Sequence, residues 1–200
     1  DEELQILRGI SNKIIDLQSY IKENISLAST LDLIFAKAKY SIQIKGNINL
    51  KEKGSNQINL KNCKHPLLGE DAVPINLEID NKTTTIVISG PNAGGKTVAL
   101  KTLGLASIMS QSGIQIPCSP DSKLPIFTKF FVHIGDEQDL DKSESSFSSH
   151  ISNIIFTIKN CDKNSLILID EIVSSTDPDE GLALASAILN YLNKNKSKSV

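Results

Sequence analysis

Apolar residues recur at Leu7, Ile10, Ile14, Leu17, Ile21, Ala28, Leu31 and Phe35, at alternating spacings of three and four, and Asn24 fills the one polar position of that seam. A period of this kind predicts helix over the first 40 residues, carrying a coiled-coil-like stripe. Three forms are open: a helix packed on a core, two helices broken near Ser26–Thr30, or an arm that needs a partner helix. The polar outward positions Asn12, Lys13, Asp16, Gln18, Lys22 and Glu23 favour the arm. The rhythm then changes. Ile42, Ile44, Ile48, Leu50, Ile58, Leu60, Ile75, Leu77 and Ile79 alternate with polar residues, which predicts antiparallel strands with loops at Gly46, Gly54 and Gly69. Further on, strands are expected at Thr85–Ser89, Phe127–Ile134 and Ser165–Ile169. Helices are expected at Val98–Ser112, at Ser145–Asn160 with Phe147, Ile151, Ile154, Ile155 and Ile158 on one face, and from Asp177 to about Asn193. Asp177 suits the N-cap of the last helix, Pro178 its first turn, and Glu180 closes a capping-box-like pair. The expected organisation is a helical segment, residues 1–40, followed by an α/β domain, residues 41–200.

Composition narrows the picture. A chain of 200 residues, 40% hydrophobic and 22% charged, can bury a core. The net charge of −2 predicts no strong general attraction to nucleic acid. Lysines cluster at Lys37, Lys39, Lys45, Lys51, Lys53, Lys61 and Lys64, but Tyr40 is the one aromatic among them, so a solvated strand surface is the favoured reading. Cys63, Cys118 and Cys161 are scattered, as reduced structural thiols of a cytoplasmic protein are. His65, His133 and His150 form no motif. No apolar run approaches the roughly 18 residues of a membrane span, and the first 30 residues or so are too charged for a signal peptide. The chain opens on Asp1 rather than methionine, as a fragment would.

The chemistry concentrates in two places. Gly90, Pro91, Asn92, Ala93, Gly94, Gly95, Lys96 and Thr97 spell GPNAGGKT, which fits the phosphate-binding P-loop pattern G-x-x-x-x-G-K-[ST] between a strand and a helix. Glycines let backbone N–H groups approach phosphate oxygens, and the helix N-terminus adds partial positive charge. Lys96 is expected at the β- and γ-phosphates of ATP and Thr97 at Mg²⁺. The second place is Asp170-Glu171, directly after an apolar strand. Asp170 is expected to hold Mg²⁺, and Glu171 to act as general base toward water. No aromatic residue lies between Tyr40 and Phe127, so a base bound by that interval would rest on aliphatic or backbone groups.

Taken together, GPNAGGKT, LKTLGL (Leu100–Leu105), IGDEQ (Ile134–Gln138), SSFSSH (Ser145–His150), LILIDE and STDPDEG (Ser175–Gly181) resemble the ATPase domain of the MutS family. KHPLL (Lys64–Leu68) and MSQSGIQIP (Met109–Pro117) resemble its recombination-suppressing branch, and the likeness covers most of residues 30–193. The resemblance implies a P-loop NTPase of ABC/MutS type with an N-terminal lever helix, hydrolysing ATP in a head-to-tail homodimer. It places Ser145 at the partner's γ-phosphate, Gln138 and Asp139 near γ-phosphate and Mg²⁺, and Asn92 at phosphate or water. It also implies a clamp for mismatched or branched DNA that restrains recombination, with a ribosome-related role as a further reading of this branch. The sequence departs from the family at Val173-Ser174-Ser175, where a glycine-rich turn is usual. The family's switch histidine and nuclease domain have no counterpart, so the chain reads as the ATPase portion of a longer protein. Two rival readings are another ABC-type chromosome ATPase and a nucleotide-binding structural module without turnover.

Overall fold

A computed structural model describes residues 2–47, 55–91, 94–134, 143–172, 178–195 and 197–200, with the backbone alone for residues 70, 143–149 and 178. The chain divides into two compact units, Asp1–Gln43 and Ile44–Val200.

The first unit is two helices, α1 (Glu2–Asp16) and α2 (Gln18–Gln43). The break falls at Leu17, not near Ser26–Thr30, where α2 is continuous and the Thr30 hydroxyl donates to the Ser26 carbonyl at 3.0 Å. The Leu17 amide still donates to Ile14 O, and Ile21 N to Leu17 O, so the disturbance is one residue wide. No residue of α1 is buried, and the seam residues Leu7, Ile10, Ile14, Leu17, Leu31 and Phe35 are all exposed. Ile42, expected in a strand, lies in the last turn of α2.

The second unit begins with an antiparallel pair, β1 (Ile58–Cys63) and β2 (Ile75–Ile79), in which Ile58 faces Ile79 and Leu60 faces Leu77. The register slips between Leu60 and Cys63, where Asn62 takes a left-handed backbone with φ 48°. Alternation buries Ile58, Leu60 and Ile79 on one side, as the period-two pattern requires. The segment around Pro117–Lys123 runs along the other edge of β1, with Asn59 and Lys123 exchanging amide bonds of 2.8 and 2.6 Å. Ile48, Leu50 and Gly54 lie outside the described residues.

The rest of the unit is a parallel sheet in the order β3 (Lys129–His133), β4 (Ser165–Ile169), β5 (Lys198–Ser199). Three helices accompany it: α3 (Lys96–Gln111), α4 (Ser143–Asn160) and α5 (Pro178–Lys194). β4 sits in the middle, and Leu166, Ile167 and Leu168 are buried on both faces, as a central parallel strand demands. On one face Ile167 packs with Ile154 of α4 and Ile188 and Leu192 of α5. On the other, Leu168 meets α3, where a Cβ at Gly104 would lie 2.9 Å from its Cδ1. The molecule is therefore α/β, with helices on both faces of the sheet.

Two expectations need correction. Thr85–Ser89 is not a buried strand: the ladder shrinks to a bridge from Thr85 to Ser199, joined by an Ile86 N–Ser199 O bond of 2.9 Å. Val87 and Ile88 extend past the last paired residue of β5 and are 69% and 38% exposed. On α4, Ile155 is 45% exposed while Ile154 is buried, so the two lie about 100° apart with Ile154 toward the core and Ile155 at the edge of the apolar face.

Candidate functional site

The loop that opens α3 is built by glycine. Gly95 occupies the N-cap with φ 80° and ψ 18°, and contributes no side-chain cap, so no side chain of the cap residue competes with an anion at this helix start. Gly90 has φ 156°, and the Gly94 amide closes a turn onto the Pro91 carbonyl at 2.9 Å. Asn92 and Ala93 lie outside the described residues. Lys96 leads the helix, and its ammonium folds back to donate to the Gly90 carbonyl at 2.6 Å. The cation is thereby held over the loop.

Thr97 follows, half-buried, and its hydroxyl donates to Asp170 Oδ2 at 2.5 Å. This contact joins the glycine loop to the acidic pair at the end of β4, residues 73 positions apart. Asp170 is fixed from behind: its amide donates to the His133 carbonyl at 2.8 Å, across from the end of β3. Glu171 comes next, exposed, with φ 57°, a backbone region that a non-glycine residue enters only at a cost of about 1–2 kcal/mol. Lys96, Asp170 and Glu171 line a groove of about 510 Å³ together with the apolar Ile86, Leu100 and Leu182.

Other expected residues are not brought to this place by the described structure. Ser145 lies in the first turn of α4, but nothing beyond its backbone is described. Gln138, Asp139 and Val173 are outside the described residues. Sequence reasoning passed over His133. Its ring nitrogen Nε2 bonds the Thr157 hydroxyl of α4 at 2.7 Å, and its ring packs edge-on to His150, centroids 6.2 Å apart. Burial and the neighbouring His150 hold its pKa below the usual 6.5. A lone histidine at a strand end carries no sequence signal for such a bond, because the partner is on a helix 24 residues away.

A hydroxyl and a carboxylate converge beside a lysine at the mouth of a glycine turn. That defines a class: an α/β protein with a glycine-capped helix N-terminus, where the helix dipole favours negative charge, and hard oxygen donors beside it. The MutS domain V family model matches residues 86–200, and the chain belongs to the MutS family. It is 43% identical to an Endonuclease MutS2 of Caldanaerobacter subterraneus subsp. tengcongensis over 99% of this chain and 26% of that protein. It is 46% identical to one from Finegoldia magna over 94% of this chain and 24% of that protein. It is 44% identical to one from Alkaliphilus metalliredigens over 95% and 24% respectively. The chain thus spans about a quarter of the length of these relatives, and within the family its likeness is to the MutS2 proteins.

Proposed function

We propose that this chain is the ATPase portion of a MutS2-type protein, a P-loop NTPase of ABC/MutS type that binds ATP with Mg²⁺ at Gly90–Thr97 and Asp170 and hydrolyses it. The observation that carries the reading is the Thr97–Asp170 contact, which brings two separately recognised motifs to one point. Oxygen donors of this kind suit a small hard cation, and the fit is to Mg²⁺ rather than to a thiolate- or imidazole-binding metal. Bound there, the cation would neutralise charge on the β- and γ-phosphate oxygens. The Gly95 and Lys96 amides and the Lys96 ammonium orient the phosphates. Glu171, at the next position of the same strand end, accepts the proton of the attacking water.

The composite site is completed by a second copy, arranged head to tail, whose Ser145 and α4 N-terminus face the γ-phosphate. Residues 1–40 act as the lever through which nucleotide state reaches a DNA clamp elsewhere in the full-length protein, acting on mismatched or branched DNA to restrain recombination. The relatives' name, Endonuclease MutS2, supports the DNA-directed part of this reading; a ribosome-related role for the same ATPase is the second reading of the branch. Glu171→Gln tests the mechanism. Hydrolysis is expected to fall by about 10²-fold or more while ATP binding persists. Equal turnover in variant and parent would refute the assignment. Mixing Ser145→Ala with Lys96→Ala chains should restore part of the activity that each lacks; no restoration would remove Ser145 from the partner's site.

A further inference from the structure

Asp170 is held at three points. Its carboxylate receives the Thr97 hydroxyl, its amide donates to the His133 carbonyl at 2.8 Å, and its chain continues β4. His133 is in turn held by the 2.7 Å bond from its ring to Thr157, a side chain 1% exposed in the third turn or so after Ser145 on α4. Thr157 therefore ties α4 to the end of β3, whose last carbonyl, that of His133, accepts from the Asp170 amide. His150, from the first half of α4, lies edge-on to the same ring and closes it from that side.

We propose that Thr157 is a positioning residue: through the His133 ring and carbonyl it couples the orientation of α4 to that of Asp170. The proposal rests on the nucleotide-site reading for its functional meaning, since α4 carries Ser145 and Asp170 the cation. Its geometry stands on the hydrogen bonds alone. A buried hydroxyl without its partner leaves the ring nitrogen of His133 unsatisfied too, so the link is lost as a unit. A hydroxyl restored on a smaller side chain restores it.

The test is amide hydrogen exchange of the nucleotide-free chain, comparing the parent with Thr157→Val, Thr157→Ser and His133→Phe. Thr157→Val keeps the shape of Thr157 and removes its hydroxyl. His133→Phe keeps the ring volume and the backbone carbonyl and removes the nitrogen. Both should speed exchange at the Asp170 amide about tenfold, the factor expected when roughly one hydrogen bond is lost. The Leu166 and Leu168 amides, in the middle of the same strand, should speed by less than the Asp170 amide, by no more than the variant's loss of global stability. Thr157→Ser should behave as the parent. Unchanged exchange at Asp170 would overturn the proposal, and so would equal acceleration at all three amides, which would mark Thr157 as a general packing residue. Absence of ATP binding would sink the nucleotide reading and leave this measurement unaffected.

Discussion

The glycine loop offers a comparison in which two neighbouring residues should answer differently to the same substitution. Gly95 sits at φ 80°, whereas Gly94 has no positive φ. A Cβ at Gly95 would meet nothing within 4 Å, so Gly95→Ala introduces no clash and its cost is conformational alone. That cost is about 1–2 kcal/mol for an L-residue in the left-handed region. A Cβ at Gly94 would lie 3.7 Å from Pro91 Cγ, an ordinary contact. Both substitutions also remove backbone freedom from the unfolded chain, a gain of about 0.4–1 kcal/mol that is common to the two and cancels in their difference. Gly95→Ala should therefore be less stable than Gly94→Ala by about 1–2 kcal/mol. The chain has no tryptophan, so urea unfolding without nucleotide is best followed by circular dichroism. For a unit of this size the same difference separates the melting temperatures by about 2–8 °C. Two variants agreeing within about 0.3 kcal/mol, the scatter of additive sites, would refute the claim that Gly95 is held in a left-handed conformation by the fold.

Two further outcomes are expected. Leu192 is fully buried among Ile154, Ile167 and Ile188, so Leu192→Ala should lower unfolding free energy by about 2–5 kcal/mol; a loss under about 1 kcal/mol would mean that α5 does not close this core. Because His133 has a folded pKa below its usual 6.5, the unfolded chain binds more protons in the interval between the two values. Stability from this residue is complete above about pH 6.5 and drains away as pH falls toward the folded pKa. In metal-free buffer the parent should lose more stability than His133→Asn between about pH 7.5 and about pH 5.5, and equal losses would contradict the burial argument.

Much of this architecture is legible in the chain because local chemistry dictates it. Ser165–Ile169 is apolar on both faces and becomes the central strand; Pro178 with Asp179 and Glu180 marks the start of α5. The misreadings share a different cause. Thr85–Ser89 has the residues of a strand, but strand formation depends on partners, and the ladder beside it is paired only as far as Ser199. Periodicity gave a four-heptad seam without locating its interruption, because Leu17 is apolar and in phase on both sides of the break. In the candidate site, the motif pattern singled out Lys96, Thr97, Asp170 and Glu171, and the structure brings Thr97 and Asp170 of that set into contact. The His133–Thr157 bond could not, because it links a strand end to a helix interior through residues with no shared motif. The exposed stripe of α1 and α2 was readable as apolar, and the structure shows it uncovered within its own unit.

The most direct test of the nucleotide site is calorimetric titration of Mg-ATP into the parent chain and into Lys96→Ala. One site per chain is expected in the parent and at least about a tenfold weaker affinity in the variant, the loss expected for a charge-assisted hydrogen bond to phosphate. No binding to the parent, or equal affinity in the two proteins, would contradict it.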